Sequence, residues 1–262
     1  MKRHSTQTAA TLAASLLFVM AAAGCTGSMY DWQVRTESTP IPGPFHPTHF
    51  AQYPVAVFPA ITMPGLRGNE FTLGHYLGYI LRKEDPTWKV VTELETSSRI
   101  SRKGLAPEFA RMRNDYDQSS IFDADTLRKI GTAIGARYIF QPRLAAFSQT
   151  MIDRWMFPGL NVRLLQTRSS IMRISLQLWD AETGDLLWVS MAETTMANEA
   201  VSQDPVYEHE IALATLGSMV VDLTNERTAS QYTPLNTFLD ALIRDAKPKQ
   251  MDRNDMTTKE KQ

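Results

Sequence analysis

The chain offers few side chains that could do covalent chemistry. It has one cysteine, Cys25, and five histidines in 262 residues. A thiol can act as a nucleophile, a metal ligand or half of a disulfide. With no second cysteine, an intrachain disulfide is impossible, and a free thiol in an oxidising compartment would be a liability. His46 and His49 have H-x-x-H spacing, but a metal site needs further ligands in fixed geometry, and the neighbouring sequence supplies none. His209 lies between Glu208 and Glu210, which reads as a solvated helix face. No nucleophile elbow, phosphate-binding loop, dinucleotide fingerprint or H-E-x-x-H occurs. The expectation is no catalytic residue, no metal, no cofactor and no enzymatic activity. One stretch stands out, 149–170, "QTMIDRWMFPGLNVRLLQTRSS". It mixes apolar residues with Arg154, Arg163 and Arg168 around Trp155 and Phe157. Aromatic residues and arginine are enriched at protein interfaces. Two readings follow: a hairpin whose apolar side covers a core, or a partner-binding loop carried by Arg154, Trp155, Phe157, Arg163 and Arg168.

Composition bounds what surrounds these residues. The chain is 43% apolar and 21% charged, with net charge -1. Lys2 and Arg3 are the only charged residues of the first 24, so the remainder carries 25 basic against 28 acidic residues. That is no footprint for nucleic acid. A folded part of roughly 190 residues buries enough surface to be stable without disulfides or metal.

Cys25 sits behind a basic start (Lys2, Arg3, His4) and an apolar run, Ala9 to Ala23, broken only by Thr11 and Ser15. This is the layout of a secretory signal, too short to span a bilayer comfortably. Ala22-Ala23-Gly24-Cys25 resembles a bacterial lipobox. The resemblance implies a diacylglycerol joined to the Cys25 sulfur, cleavage before it, and acylation (palmitate class) of the new amino terminus. Thr26 rather than Asp follows, which implies sorting to the outer membrane, facing the periplasm. One acyl chain binds a bilayer only marginally, whereas two or three hold stably.

The elements that would carry the rest follow from pattern. The expected domains are a signal peptide over 1–24, the lipidated cysteine and a Pro-rich flexible linker over 25–52, an α/β domain over 53–246, and a disordered polar tail over 247–262. Pro40, Pro42, Pro44 and Pro47 rule out a helix in the linker. Strands are expected at Tyr53–Ala60, Trp88–Thr92, Tyr138–Phe147, Ser170–Leu178 and Leu186–Ala192. Helices are expected over Asn69–Lys83, from Asp123 or Asp125 to Gly135, and from Asp204-Pro205 and Thr233-Pro234 onward. Residues 94–120 lack clear periodicity and read as a solvated loop bearing Arg99, Arg102, Lys103, Arg111 and Arg113. Strands and helices interleave, so the fold expected is α/β, a single mixed β-sheet with helices packed on it.

"IGTAIGARYIFQPRLAAF" and "RISLQLWDAETGDLLWVS" resemble the periplasmic α/β domain shared by CsgG, LpoB and the amino-terminal domain of TolB. The residues that carry the likeness are Gly135, Ala136, Arg137 and Tyr138, then Asp180, Thr183 and Gly184; Gln141-Pro142 departs from it. The resemblance covers about residues 53 to 225. It implies this fold, an envelope location, and proteins that bind proteins or build assemblies. The function expected is a non-catalytic, lipid-anchored interaction or assembly module of the bacterial cell envelope. Its partners would be the outer-membrane bilayer, an unidentified envelope protein and, as an open possibility, further copies of itself. The alternative is a subunit of an oligomeric, curli-channel-like secretion channel.

Overall fold

A computed structural model describes residues 29–62, 70–157, 162–200 and 208–246. Eight strands form one mixed sheet in the order β4-β2-β5-β6-β7-β1-β8, with β3 paired to β5 beyond β2. The strands are β1 (Met29–Ser38), β2 (Val55–Val57), β3 (Ile61–Thr62), β4 (Val90–Val91), β5 (Tyr138–Phe157), β6 (Val162–Asp180), β7 (Leu186–Ala200) and β8 (Ala229–Tyr232). The helices are α1 (His49–Gln52), α2 (Glu70–Glu84), α3 (Glu93–Arg102), α4 (Ala106–Ser119), α5 (Ala124–Ile134), α6 (Glu208–Thr224) and α7 (Thr237–Ala246). The expected α/β class holds. β2, β3 and β4 run parallel to their neighbours, while β5, β6, β7, β1 and β8 are antiparallel in succession.

One apolar cluster lies under α2, α6 and α7. It joins Leu77 and Ile80 of α2 to Met172, Ile174, Leu176 and Leu178 of β6. The alternation expected for β6 is thus realised, with Arg173 exposed between buried neighbours. A second cluster covers the other face of the parallel half, under α3, α4 and α5, and includes Tyr116, Ile130, Ile134 and Trp179.

The sequence reads residues 25–52 as a linker; from Met29 onward the structure corrects this. β1 pairs with β7 over its whole length and with β8 near its end. Trp32, Val34 and Thr36 are buried and Arg35 and Glu37 exposed, a period-two pattern on the core face. The prolines begin only beyond Ser38. The signal peptide, Cys25 and the tail over 247–262 lie outside the described residues.

The loop expected over 94–120 is two helices. Thr92 and Glu95 form a reciprocal capping box at the start of α3. Each helix buries a narrow stripe, Thr96 and Ile100 in α3 and Met112 and Tyr116 in α4, so apolar periodicity is faint. Two arginines expected in solvent are structural: Arg99 donates to the Ile134 carbonyl, and Arg113 to the Ala60 carbonyl at 3.0 Å. α5 is as expected. The Asp123 side chain accepts from the Thr126 N–H at 2.9 Å, and Gly135 closes the helix at φ 71°. α7 starts at Thr237, capped by Asn236 rather than opened by Thr233-Pro234.

Gln141-Pro142, where the sequence departs from the family resemblance, falls inside β5, where its parallel partner changes from β2 to β3. Proline cannot donate to a ladder. The Gln141 side-chain amide donates instead to the Pro59 carbonyl, at 3.1 Å.

Asp222, fully buried on α6, ties three elements together. Its carboxylate accepts from Thr36 of β1, from Ser230 at 2.7 Å and from Tyr232 of β8. Burial first, then the bond to Asp222, pushes the Tyr232 phenol up to about 12. Burial does the same to Tyr116.

Removing the carboxylate deprives the buried Thr36 and Tyr232 hydroxyls and the half-buried Ser230 hydroxyl of that acceptor, so Asp222→Ala is expected to cost about 3 kcal/mol and Tyr232→Phe about 1 kcal/mol. Urea unfolding checks both. An unfolded tyrosine ionises near 10. The unfolded chain therefore loses these protons first, and stability is full below pH 10 and falls between pH 10 and about 12. The fall should be smaller in Tyr232→Phe.

Candidate functional site

The two motifs of the expected family resemblance meet at one end of the sheet. Arg137, at the start of β5, donates through Nε and Nη2 to Asp180 Oδ2 at 3.0 and 2.9 Å, and lies 3.2 Å from Glu182. Hydrogen bonding to Asp180 raises the Arg137 value, keeping it charged. Asp180 accepts in turn from the Glu182 N–H at 2.8 Å, folding the β6–β7 turn, where Gly184 takes φ 85°. Gly131 of α5 packs against Ala181 so closely that an added Cβ would come within 2.6 Å of it. Residues more than 40 positions apart thus form one structural clamp.

Beside the clamp is an open cleft of about 390 Å³, lined by Arg128, Thr132, Gly135, Arg137 and Glu182 among others. Its cations are committed. Arg128 donates to the Glu182 carbonyl at 2.9 Å and to Asp125 at 3.0 Å. No nucleophile and base face each other across it.

The histidines are dispersed. His46 pairs with Glu226 at 3.1 Å, and His49 approaches the Tyr138 hydroxyl at 3.5 Å. The solvated face expected around His209 is corrected in part: Glu210 is buried, because α6 is enclosed from Glu210 to Val220. Among the described residues no group of three or more His, Cys, Asp or Glu side chains could hold a metal ion.

The residues singled out over 149–170 lie on paired strands, the arms of a hairpin as one of the two readings expected; residues 158–161 lie outside the described residues. Trp155 is opposite Leu165, Met156 opposite Arg163, Phe157 opposite Val162, and Arg168 opposite Met151. Arg154 occupies the irregularity between Asp153 and Trp155. The register brings Arg154, Trp155, Phe157 and Arg163 together at one end of β5–β6, with Arg168 five positions further along β6. Three register shifts, after Leu144, Asp153 and Trp155, break the alternation, which hid the strands in the sequence.

Among the described residues the antiparallel half is packed on one face only. Its second face carries the cross-strand row Arg35–Glu193–Arg173 and the row Glu37–Met191–Ser175. Arg173 donates to Glu193, and Met191 is 60% exposed. Neither β1 nor β7 contributes to the cluster under α3, α4 and α5. Antiparallel sheets commonly leave one face to water, with polar and charged residues on it.

No family model and no curated protein matches the chain. Solved structures give weak likenesses. The PelC dodecamer from Paraburkholderia phytofirmans is 11% identical, at a TM-score of 0.39, over 73% of this chain and 97% of that one. Lipoprotein GNA1162 from Neisseria meningitidis is 13% identical, at 0.33, over 66% and 96%. The LpoB C-terminal domain from Salmonella enterica is 17% identical, at 0.30, over 54% and 81%. LpoB belongs to the group the sequence resembles; neither CsgG nor TolB is among these three. At such values no activity, partner or assembly carries over. Among the described residues no helix is long and apolar enough to cross a membrane.

On the partner-binding reading, replacing Arg154, Trp155 and Phe157 together by alanine is expected to cost less than about 0.5 kcal/mol per site, read by thermal melting. A loss of several kcal/mol would instead show the hairpin covering the core.

Proposed function

We propose that the protein is a lipid-anchored, non-catalytic interaction or assembly module of the bacterial cell envelope, held at the outer membrane by acyl chains on Cys25 and facing the periplasm. The observation that carries this is the antiparallel half of the sheet. It is a platform packed on one face and lined on the other by Arg35, Glu37, Arg173, Met191 and Glu193. The strongest polar groups elsewhere, Asp222, Arg137, Asp180 and Arg99, are all engaged in holding the fold. A charged, partly apolar sheet face suits recognition of a protein surface. The lipobox-like start supplies the location, and the second partner is an envelope protein recognised by this module.

A second reading, a subunit of a homo-oligomeric channel, draws on the four antiparallel strands β5, β6, β7 and β1 that reach the same end of the sheet. Light scattering on detergent-extracted protein separates the two: a large closed ring supports the channel, a monomer or dimer the module.

Cys25→Ala is expected to remove the diacylglyceryl group, leave the signal uncut and strip the protein of its detergent requirement once the signal is removed. Intact-mass measurement of the membrane fraction checks this. A mature wild-type chain without added lipid mass contradicts the anchor.

A further inference from the structure

We infer that the outer edge of β8 is a strand-addition site for an extended segment of a partner protein, one that carries a carboxylate toward its carboxyl end. The inference goes beyond the module reading above, which rests on the open face of the sheet rather than on its edge.

Backbone parity picks out the edge. The Ser38 N–H donates to the Thr228 carbonyl at 2.7 Å, and the Thr39 N–H donates on the other side of β1 to the Val189 carbonyl at 2.8 Å. Antiparallel strands exchange hydrogen bonds at every second residue pair. With Thr36 opposite Ser230 and Val34 opposite Tyr232, the even-numbered residues of β8 therefore bond to β1. The N–H and C=O groups of Ala229 and Gln231 point the other way, out of the sheet. β8 ends the strand order, and both residues are exposed. Among the described residues no strand pairs with that side.

The opposite edge of the sheet is closed. β4 is Val90 and Val91, both buried, and Arg82 donates to the Val90 carbonyl at 3.2 Å. Sheet edges are commonly guarded by charged side chains, proline or bulges. β8 reads Ala-Ser-Gln-Tyr, has none of these, and keeps a regular register with β1.

The groups at the edge say what fits it. An antiparallel strand beside β8 exchanges backbone hydrogen bonds with Ala229 and Gln231, the mode in which an extended peptide extends a sheet. Side chains at both ends add chemistry. Arg227, two residues before Ala229, is exposed and makes no side-chain hydrogen bond or ion pair among the described residues. Leu235 is 91% exposed. It follows Tyr232 by three residues, a reach of at most about 11 Å. A segment with an apolar residue first and a carboxylate last meets both. A second copy of this chain does not match the charge. Thr228 to Asn236 holds no acidic residue, so two β8 strands leave Arg227 opposite a neutral side chain in each register that pairs their outward groups.

The test uses the full chain and the probe peptide acetyl-Leu-Thr-Val-Thr-Val-Thr-Glu-amide. In the free chain, amide exchange read by NMR is expected to be fast at Ala229 and Gln231 and slow at Ser230 and Tyr232. Saturating peptide is expected to slow Ala229 and Gln231 by at least about tenfold. An analogue ending in Lys is expected to bind about threefold more weakly. Gln231→Pro removes an outward donor and spares the bonds to β1, so it is expected to weaken the peptide about tenfold at an unchanged melting temperature. The peptide N-methylated at both valines lacks the N–H groups that face β8 and is expected not to bind. Equal binding by that peptide, or no slowing at about 1 mM probe, overturns the inference. Slow exchange at Ala229 and Gln231 in the dilute free chain assigns the edge to the chain itself, and slowing that follows chain concentration alone assigns it to a second copy; either overturns it. Each of these outcomes leaves the module reading to its own light-scattering test.

Discussion

A buried carboxylate holds the first strand in place. Asp222 of α6 receives hydroxyls from Thr36, Ser230 and Tyr232, and so locks β1 between β7 and β8 at one register. A lone buried charge would be costly; three donors and full enclosure turn it into a specific fastening. A slip of β1 by one residue would break the Thr36 bond and turn Trp32 and Val34 out of the core. The consequence reaches past stability. The register of β1 decides which side chains line the open face, Arg35 beside Glu193 and Glu37 beside Met191.

The sheet has two characters, and each explains part of the molecule. Its parallel half is sandwiched between helices, with cores on both faces. Its antiparallel half is packed by α2, α6 and α7 on one face, and the other face presents charges and Met191. The clamp of Arg137 on Asp180 joins the halves at one end, while β5 and β6 run on at the other. The fold is thus polar in layout: a clamped end, and an end where β1, β7, β6 and β5 share the Met29 row.

Much of this was legible in the residues. The caps of α5 at Asp123 and Gly135, the alternation of β6 and the turn around Gly184 each rest on short-range chemistry that one sequence carries in full. β1 was hidden by the prolines that follow it, although Trp32, Val34 and Thr36 alternate with charged residues. α3 and α4 were hidden because two or three buried residues per helix make no periodic signal; the Thr92–Glu95 box was the available cue. The far arms of β5 and β6 were hidden by bulges, which shift the alternation wherever they occur. The five residues singled out over 149–170 were found by type, but only pairing, a long-range property, shows that Arg154, Trp155, Phe157 and Arg163 share one end of β5–β6. Arg99 and Arg113 looked like surface charge because the carbonyls they bind belong to distant elements.

The fastening at Asp222 tests the account most directly. Amide hydrogen exchange compares wild type with Asp222→Ala strand by strand. The account predicts that protection falls first over β1 and β8, whose hydroxyls Asp222 receives, while the β6–β7 ladder keeps its protection. Protection of β1 and β8 unchanged by the substitution would contradict it.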